Sequence, residues 1–112
     1  MYTEMKLIQG DDPFKNLIPS SFELGGTTYK VEQVDNLLEG DNVAFINFPT
    51  STVRIANQFK GSTCSASYKE VSFYHELVHG ILDTMGQSEL SSDEVFVEGF
   101  ANLLHQYIKT AK

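Results

Sequence analysis

The chain has 112 residues, 41% of them hydrophobic and 21% charged, which suits one small domain around a single core. Its 8 Lys and Arg against 15 Asp and Glu give a net charge of −7 with no basic cluster, which excludes a nucleic-acid footprint and favours neutral or basic peptide partners. No stretch nears the roughly 18 apolar residues of a membrane span, residues 1–10 lack the apolar core of a secretory signal, and a lone cysteine, Cys64, cannot staple the fold, so a soluble cytoplasmic protein is expected.

Residues 1–21 read as a lead-in, turn-rich at Asp11, Asp12, Pro13, Asn16, Pro19 and Ser20, with Phe14, Leu17 and Ile18 available to pack back on the body. Phe22-Glu23-Leu24, Gly25-Gly26 and residues 27–34 predict a hairpin, because two glycines supply the positive φ of a two-residue turn. Residues 35–42 read as a turn with one helical turn at Leu37-Leu38. Residues 43–48 and 52–57 are rich in β-formers and broken by Pro49-Thr50-Ser51, a second hairpin. Its second strand is either an edge that an extended peptide can join or an ordinary internal strand. Residues 58–67 are small and polar and read as a loop.

Ser67-Tyr68-Lys69-Glu70 fits a capping box, and Val71, Tyr74, Val78, Ile81, Leu82 and Met85 follow at three- and four-residue steps, so a helix with a core-facing stripe is expected up to Gly86. Ser91-Ser92-Asp93-Glu94 offers a second box, opening a helix to about Lys109 with Val97, Phe100, Leu104, Tyr107 and Ile108 as its stripe. The expected architecture is a single α+β domain over residues 1–112, a small and mainly antiparallel sheet packed against two helices.

The first of these helices carries His75-Glu76-Leu77-Val78-His79, an H-E-x-x-H motif. Residues four apart share a helix face, so two imidazoles can hold one Zn²⁺ while Glu76 reaches a water beside it and takes its proton. The site needs a third ligand. The next helix offers Glu94 and Glu98, and a short connection from residue 86 to 90 lets either one reach the histidines.

These stretches resemble a known family. Residues 72–82, Ser-Phe-Tyr-His-Glu-Leu-Val-His-Gly-Ile-Leu, and Glu98-Gly99-Phe100-Ala101-Asn102-Leu103-Leu104 look like the ImmA/IrrE-type, gluzincin-like zinc metallopeptidases often encoded by phages and other mobile elements. The resemblance covers roughly the last two-thirds of the chain. It implies a zincin-like fold, peptide-bond hydrolysis, and Glu98 rather than Glu94 as third ligand, since the family's ligand Glu precedes an Ala-Asn pair.

The expectation is therefore a zinc-dependent metallopeptidase acting on a protein or peptide. His75, His79 and Glu98 hold Zn²⁺ and Glu76 is the general base. Asp83 is a candidate to orient His79 and Asn102 to orient Glu98. Tyr68, Tyr74, Tyr107, His105 and Arg54 are candidates to meet the developing oxyanion. The alternative is a latent or non-catalytic peptidase-like module that binds zinc for regulation or interaction.

Overall fold

Gly25 and Gly26 have φ of 56° and 83° and turn the chain between β1 (Ser21–Leu24) and β2 (Thr27–Val34), as two consecutive glycines predict. The computed structural model describes residues 17–37 and 42–112. The lead-in before Leu17 lies outside the described residues, as does Leu38 of the expected helical turn. The second expected hairpin is β3 (Ala44–Asn47) with β4 (Thr52–Ala56), in antiparallel register with Ile46 opposite Val53.

The four strands form one sheet in the order β1-β2-β4-β3. β2 and β4 pair in parallel, Val31 opposite Val53, and the other two pairings are antiparallel. Of the two roles open to residues 52–57, the internal one holds: β4 is central, with Val53 and Ile55 at 0% exposure, and β3 is the edge. Residues 58–67 are not a plain loop. β5 (Gln58–Phe59) and β6 (Ser62–Thr63) form a small hairpin whose tip, Lys60-Gly61, has φ of 51° and 84°. Small polar residues concealed this pairing because so short a ladder buries little apolar surface.

The N-cap of helix α1 (Ala66–Thr84) is Ser65, two residues before the expected cap, and its side chain accepts from the Tyr68 backbone N–H. The capping box at Ser67 is not used because Glu70 is drawn inward, 3% exposed, to partners on another helix. Of the expected α1 stripe, Tyr74, Val78 and Leu82 are buried. Phe73 is 2% exposed and central, whereas Met85 is exposed. A one-turn helix, α2 (Ser88–Ser91), precedes α3 (Glu94–Thr110), whose N-cap is Asp93, accepting from Phe96 N–H, rather than Ser91. Of the α3 stripe, Val97 is buried with Ala101 and His105, but Phe100 and Tyr107 point to solvent.

α1 lies across β3 and β4, and α3 packs on α1. Partners along the two helices run in opposite senses: Glu70 meets His105, His75 meets Glu98, and His79 meets Glu94, so the pair is antiparallel. The core between sheet and helices is built from Val53, Ile55, Phe73, Val78, Val97 and Ala101, among others. Gly80 sets the height of α1 over the sheet. A Cβ there would lie 3.1 Å from side-chain carbons of both Ile46 and Leu24, so only glycine permits this approach without displacing them. That approach brings the preceding turn of α1, with Glu76, to the edge strand.

Candidate metal centre

His75 and His79, one turn apart on α1, direct their Nε2 atoms at one point, 3.2 Å from each other. The Glu94 carboxylate enters from the first turn of α3, with Oε1 3.1 Å from His75 Nε2 and Oε2 3.4 Å from His79 Nε2. Among the described residues, His75, His79 and Glu94 form a group able to hold a metal ion. Four ligands at about 2.0–2.1 Å in a tetrahedron stand about 3.3–3.4 Å apart, close to the spacing of these three.

Glu98, expected as the third ligand, is not in this group. Its Oε1 lies 2.7 Å from Nδ1 of His75, the other side of the ring. The difference is one helical turn. With α1 and α3 antiparallel, the residue facing the shared Nε2 point is the one nearer the start of α3, and Glu98 is carried one turn past it.

Glu98 contacts His75 at Nδ1 and Ser91 Oγ stands 3.0 Å from His79 Nδ1, so each ring has a partner on the nitrogen that faces away from the shared point. Such partners suit a metal-bound imidazole, holding its proton on Nδ1 and leaving Nε2 to ligate. Two Nε2 atoms and a carboxylate converge, an arrangement that a cation would stabilise. Ser91 is 6% exposed and held by α2. Sequence reasoning missed it, and no local pattern marks it; the candidate named there for orienting His79, Asp83, is exposed.

Glu76 lies beside the pair. It faces β3, where the Ile46 backbone N–H donates to its carboxylate. Burial pushes its carboxyl up to about 7; the His75 charge and the Ile46 N–H work against that rise, and the Glu94 charge adds to it. A cleft of about 240 Å³ opens here, lined by Tyr68, His75 and Glu76 of α1, by Glu98 of α3, and by Asn42, Val43, Ala44 and Phe59.

The remaining candidates separate cleanly. His105 is buried in an ion pair, its Nε2 2.8 Å from Glu70 Oε1, with Lys109 Nζ 3.0 Å from the same oxygen. Tyr74 is buried and its hydroxyl donates to the Leu17 carbonyl. Arg54 pairs with Glu32 across strands β4 and β2. Tyr107 is exposed on α3. Asn102 donates to the Glu98 backbone carbonyl, not to its carboxylate. Tyr68 alone of these five oxyanion candidates lines the cleft with His75 and Glu76. Lone Cys64 is half-buried and does not line it.

No helix among the described residues is long and apolar enough to cross a membrane. No family model matches the chain, and neither the curated proteins nor the solved structures contain a match to it.

Proposed function

We propose that the protein is a zinc-dependent metallopeptidase, with His75, His79 and Glu94 as metal ligands and Glu76 as general base. The observation that carries this reading is the convergence of two Nε2 atoms and one carboxylate, with a second, half-buried carboxyl facing a cleft beside them. Two imidazoles and a carboxylate suit Zn²⁺ better than Mg²⁺ or Ca²⁺, which prefer all-oxygen shells. When bound, such an ion supplies Lewis acidity that makes a water acidic near neutral pH and polarises a peptide carbonyl.

The chain's own residues supply the rest. Glu76 accepts the proton of the attacking water and passes it to the leaving amine. Glu98 and Ser91 hold the two rings in register. Tyr68 is the hydroxyl best situated to donate to the oxyanion. In β3 the groups of Phe45 and Asn47 are used by β4, while Ala44 and Ile46 turn theirs to the outer edge, which no other described strand joins and where the Ile46 N–H already meets Glu76. An extended peptide adding to that edge would pass the cleft. The substrate class is thus an extended segment of a protein or peptide, and the compartment, from the single thiol, a reducing one such as the cytoplasm.

A second reading has one observation in its favour. Each Glu94 oxygen faces a different imidazole, and a carboxylate binding through both oxygens would occupy the position a catalytic site keeps open. The protein would then be a zinc-holding regulatory or interaction module.

One experiment tests both. Zinc content is measured on purified protein, and cleavage of an unfolded protein substrate is followed for wild type and Glu76→Gln. One zinc per chain with cleavage that Glu76→Gln abolishes supports the enzyme. One zinc without cleavage supports the module. A chain that binds no zinc defeats both.

A further inference from the structure

Helix α3 has two apolar faces, and α1 uses only one. Val97, Ala101 and His105 are buried inward. On the outer side Phe100, Leu103 and Tyr107, with Phe96 half-buried at the margin and packed in part against the core, recur at steps of four, three and four residues. That is the spacing of a two-heptad seam made to meet another helix. Phe100 is 50% exposed, and Leu103 and Tyr107 are each 68% exposed. An apolar hollow runs along this side, and Gly99 lies within it. A Cβ at Gly99 would meet nothing within 4 Å, so the glycine leaves a hole between Phe96, Phe100 and Leu103 that an incoming side chain can fill.

The charges of α3 indicate what fills it. The chain carries −7 overall, yet positions 95, 96, 99, 100, 102, 103, 106, 107 and 110 are all uncharged. A second copy therefore meets no like charge along the seam, and a strongly charged foreign partner gains nothing there. The exposed charges left at the two ends are opposite in sign, Asp93 at the start and Lys112 at the finish, since Glu94 and Lys109 are engaged with α1. Antiparallel pairing about a two-fold axis between positions 100 and 103 sets Phe100 against Leu103 of the second copy and Phe96 against Tyr107. It brings each acidic end to a basic end and opposes the helix dipoles, whereas parallel pairing sets like ends together. We propose that the protein forms an isologous homodimer through the outer face of α3, the two helices antiparallel.

The inference does not depend on the metal reading. Glu94 and Glu98 face α1, on the other side of α3, so the seam can close with both clefts free.

The test is sedimentation equilibrium of the full chain from low-micromolar to sub-millimolar concentration. The expected mass at the upper end is twice the 12.5 kDa of one chain. Leu103→Glu and Phe100→Glu, both at exposed positions, should raise the dimer dissociation constant ~100-fold or more, with unchanged helical circular dichroism and unchanged zinc content. Lys112→Glu should raise it about threefold at low salt. A chain of 12.5 kDa at every concentration, or a dimer that survives both seam variants, overturns the proposal. An unchanged constant for Lys112→Glu overturns the antiparallel arrangement.

Discussion

The Glu98 carboxylate stands 2.7 Å from Nδ1 of His75, and the same ring turns its Nε2 towards Glu94. One histidine thus connects two acids that the sequence offers as rivals, and it assigns them different work. In the proposed metal site, the acid on Nδ1 would orient the ring and raise its basicity, and the acid at Nε2 would share the ion.

This division predicts unequal losses. Glu94→Ala should weaken zinc binding by more than ~100-fold, and Glu98→Ala by about tenfold. Ser91→Ala, which removes the partner of His79 Nδ1, should resemble Glu98→Ala. Competition with a chromophoric chelator ranks the three. If Glu98→Ala is the most damaging, the ligand assignment reverts to the one the family resemblance implies.

Glu76 has a pH signature of its own in the metal-free protein. Its carboxyl is raised by burial from 4.5 to about 7, so the folded chain keeps a proton that the unfolded chain loses. Stability therefore falls as pH rises from about 4.5 to about 7 and levels off above that. Glu76→Gln removes the slope, and at alkaline pH the variant should be more stable than wild type by on the order of 2 kcal/mol. Urea melts across this range check the sign. In the zinc-loaded protein the same substitution should lower cleavage roughly a hundred- to ten-thousandfold and leave zinc content intact.

Glu70 shows the opposite behaviour. Burial pushes its carboxyl up, but the hydrogen bonds and charges of His105 and Lys109 outweigh that and hold it below the usual 4.5. Its stabilisation is present above about 4.5 and is lost as pH falls through the lower folded value. Glu70→Ala leaves two donors without their acceptor and should cost roughly 3 kcal/mol near neutral pH. The loss should shrink in acid, and zinc stoichiometry should not change, because this cluster pins α1 to α3 away from the histidine pair.

Tyr68 lines the cleft, and Tyr107 lies on the outside of α3. If Tyr68 meets the oxyanion, Tyr68→Phe should lower kcat at least about tenfold with little change in KM, and Tyr107→Phe should leave kcat as it is. Steady-state kinetics on one peptide decide it; equal kcat for wild type and Tyr68→Phe would remove Tyr68 from the mechanism.

Much of the fold follows from local chemistry. Gly25-Gly26 can only turn tightly, Val53 and Ile55 alternate inward, and the periodic run after Ser65 is helical. These are properties of a few neighbouring residues, and a sequence displays them directly. The helix caps were displaced where a residue had a distant partner. Glu70 leaves its capping box for His105, 35 positions away, and Ser91 turns its hydroxyl to His79.

By itself the sequence determined the α+β class, the two helices, and a His-Glu-x-x-His stretch on the first of them, because helical period alone puts His75 and His79 on one face. Spacing left both Glu94 and Glu98 open, one turn apart on the same helix and within reach of the same pair of rings, and the family resemblance pointed to Glu98. Only the antiparallel packing of α3 on α1, its height set in part by Gly80 against Ile46 and Leu24, brought Glu94 to the two Nε2 atoms and carried Glu98 to Nδ1. A shift of one turn between packed helices moves a side chain by about 5.4 Å, more than the width of a metal site, and no local pattern in the chain encodes it.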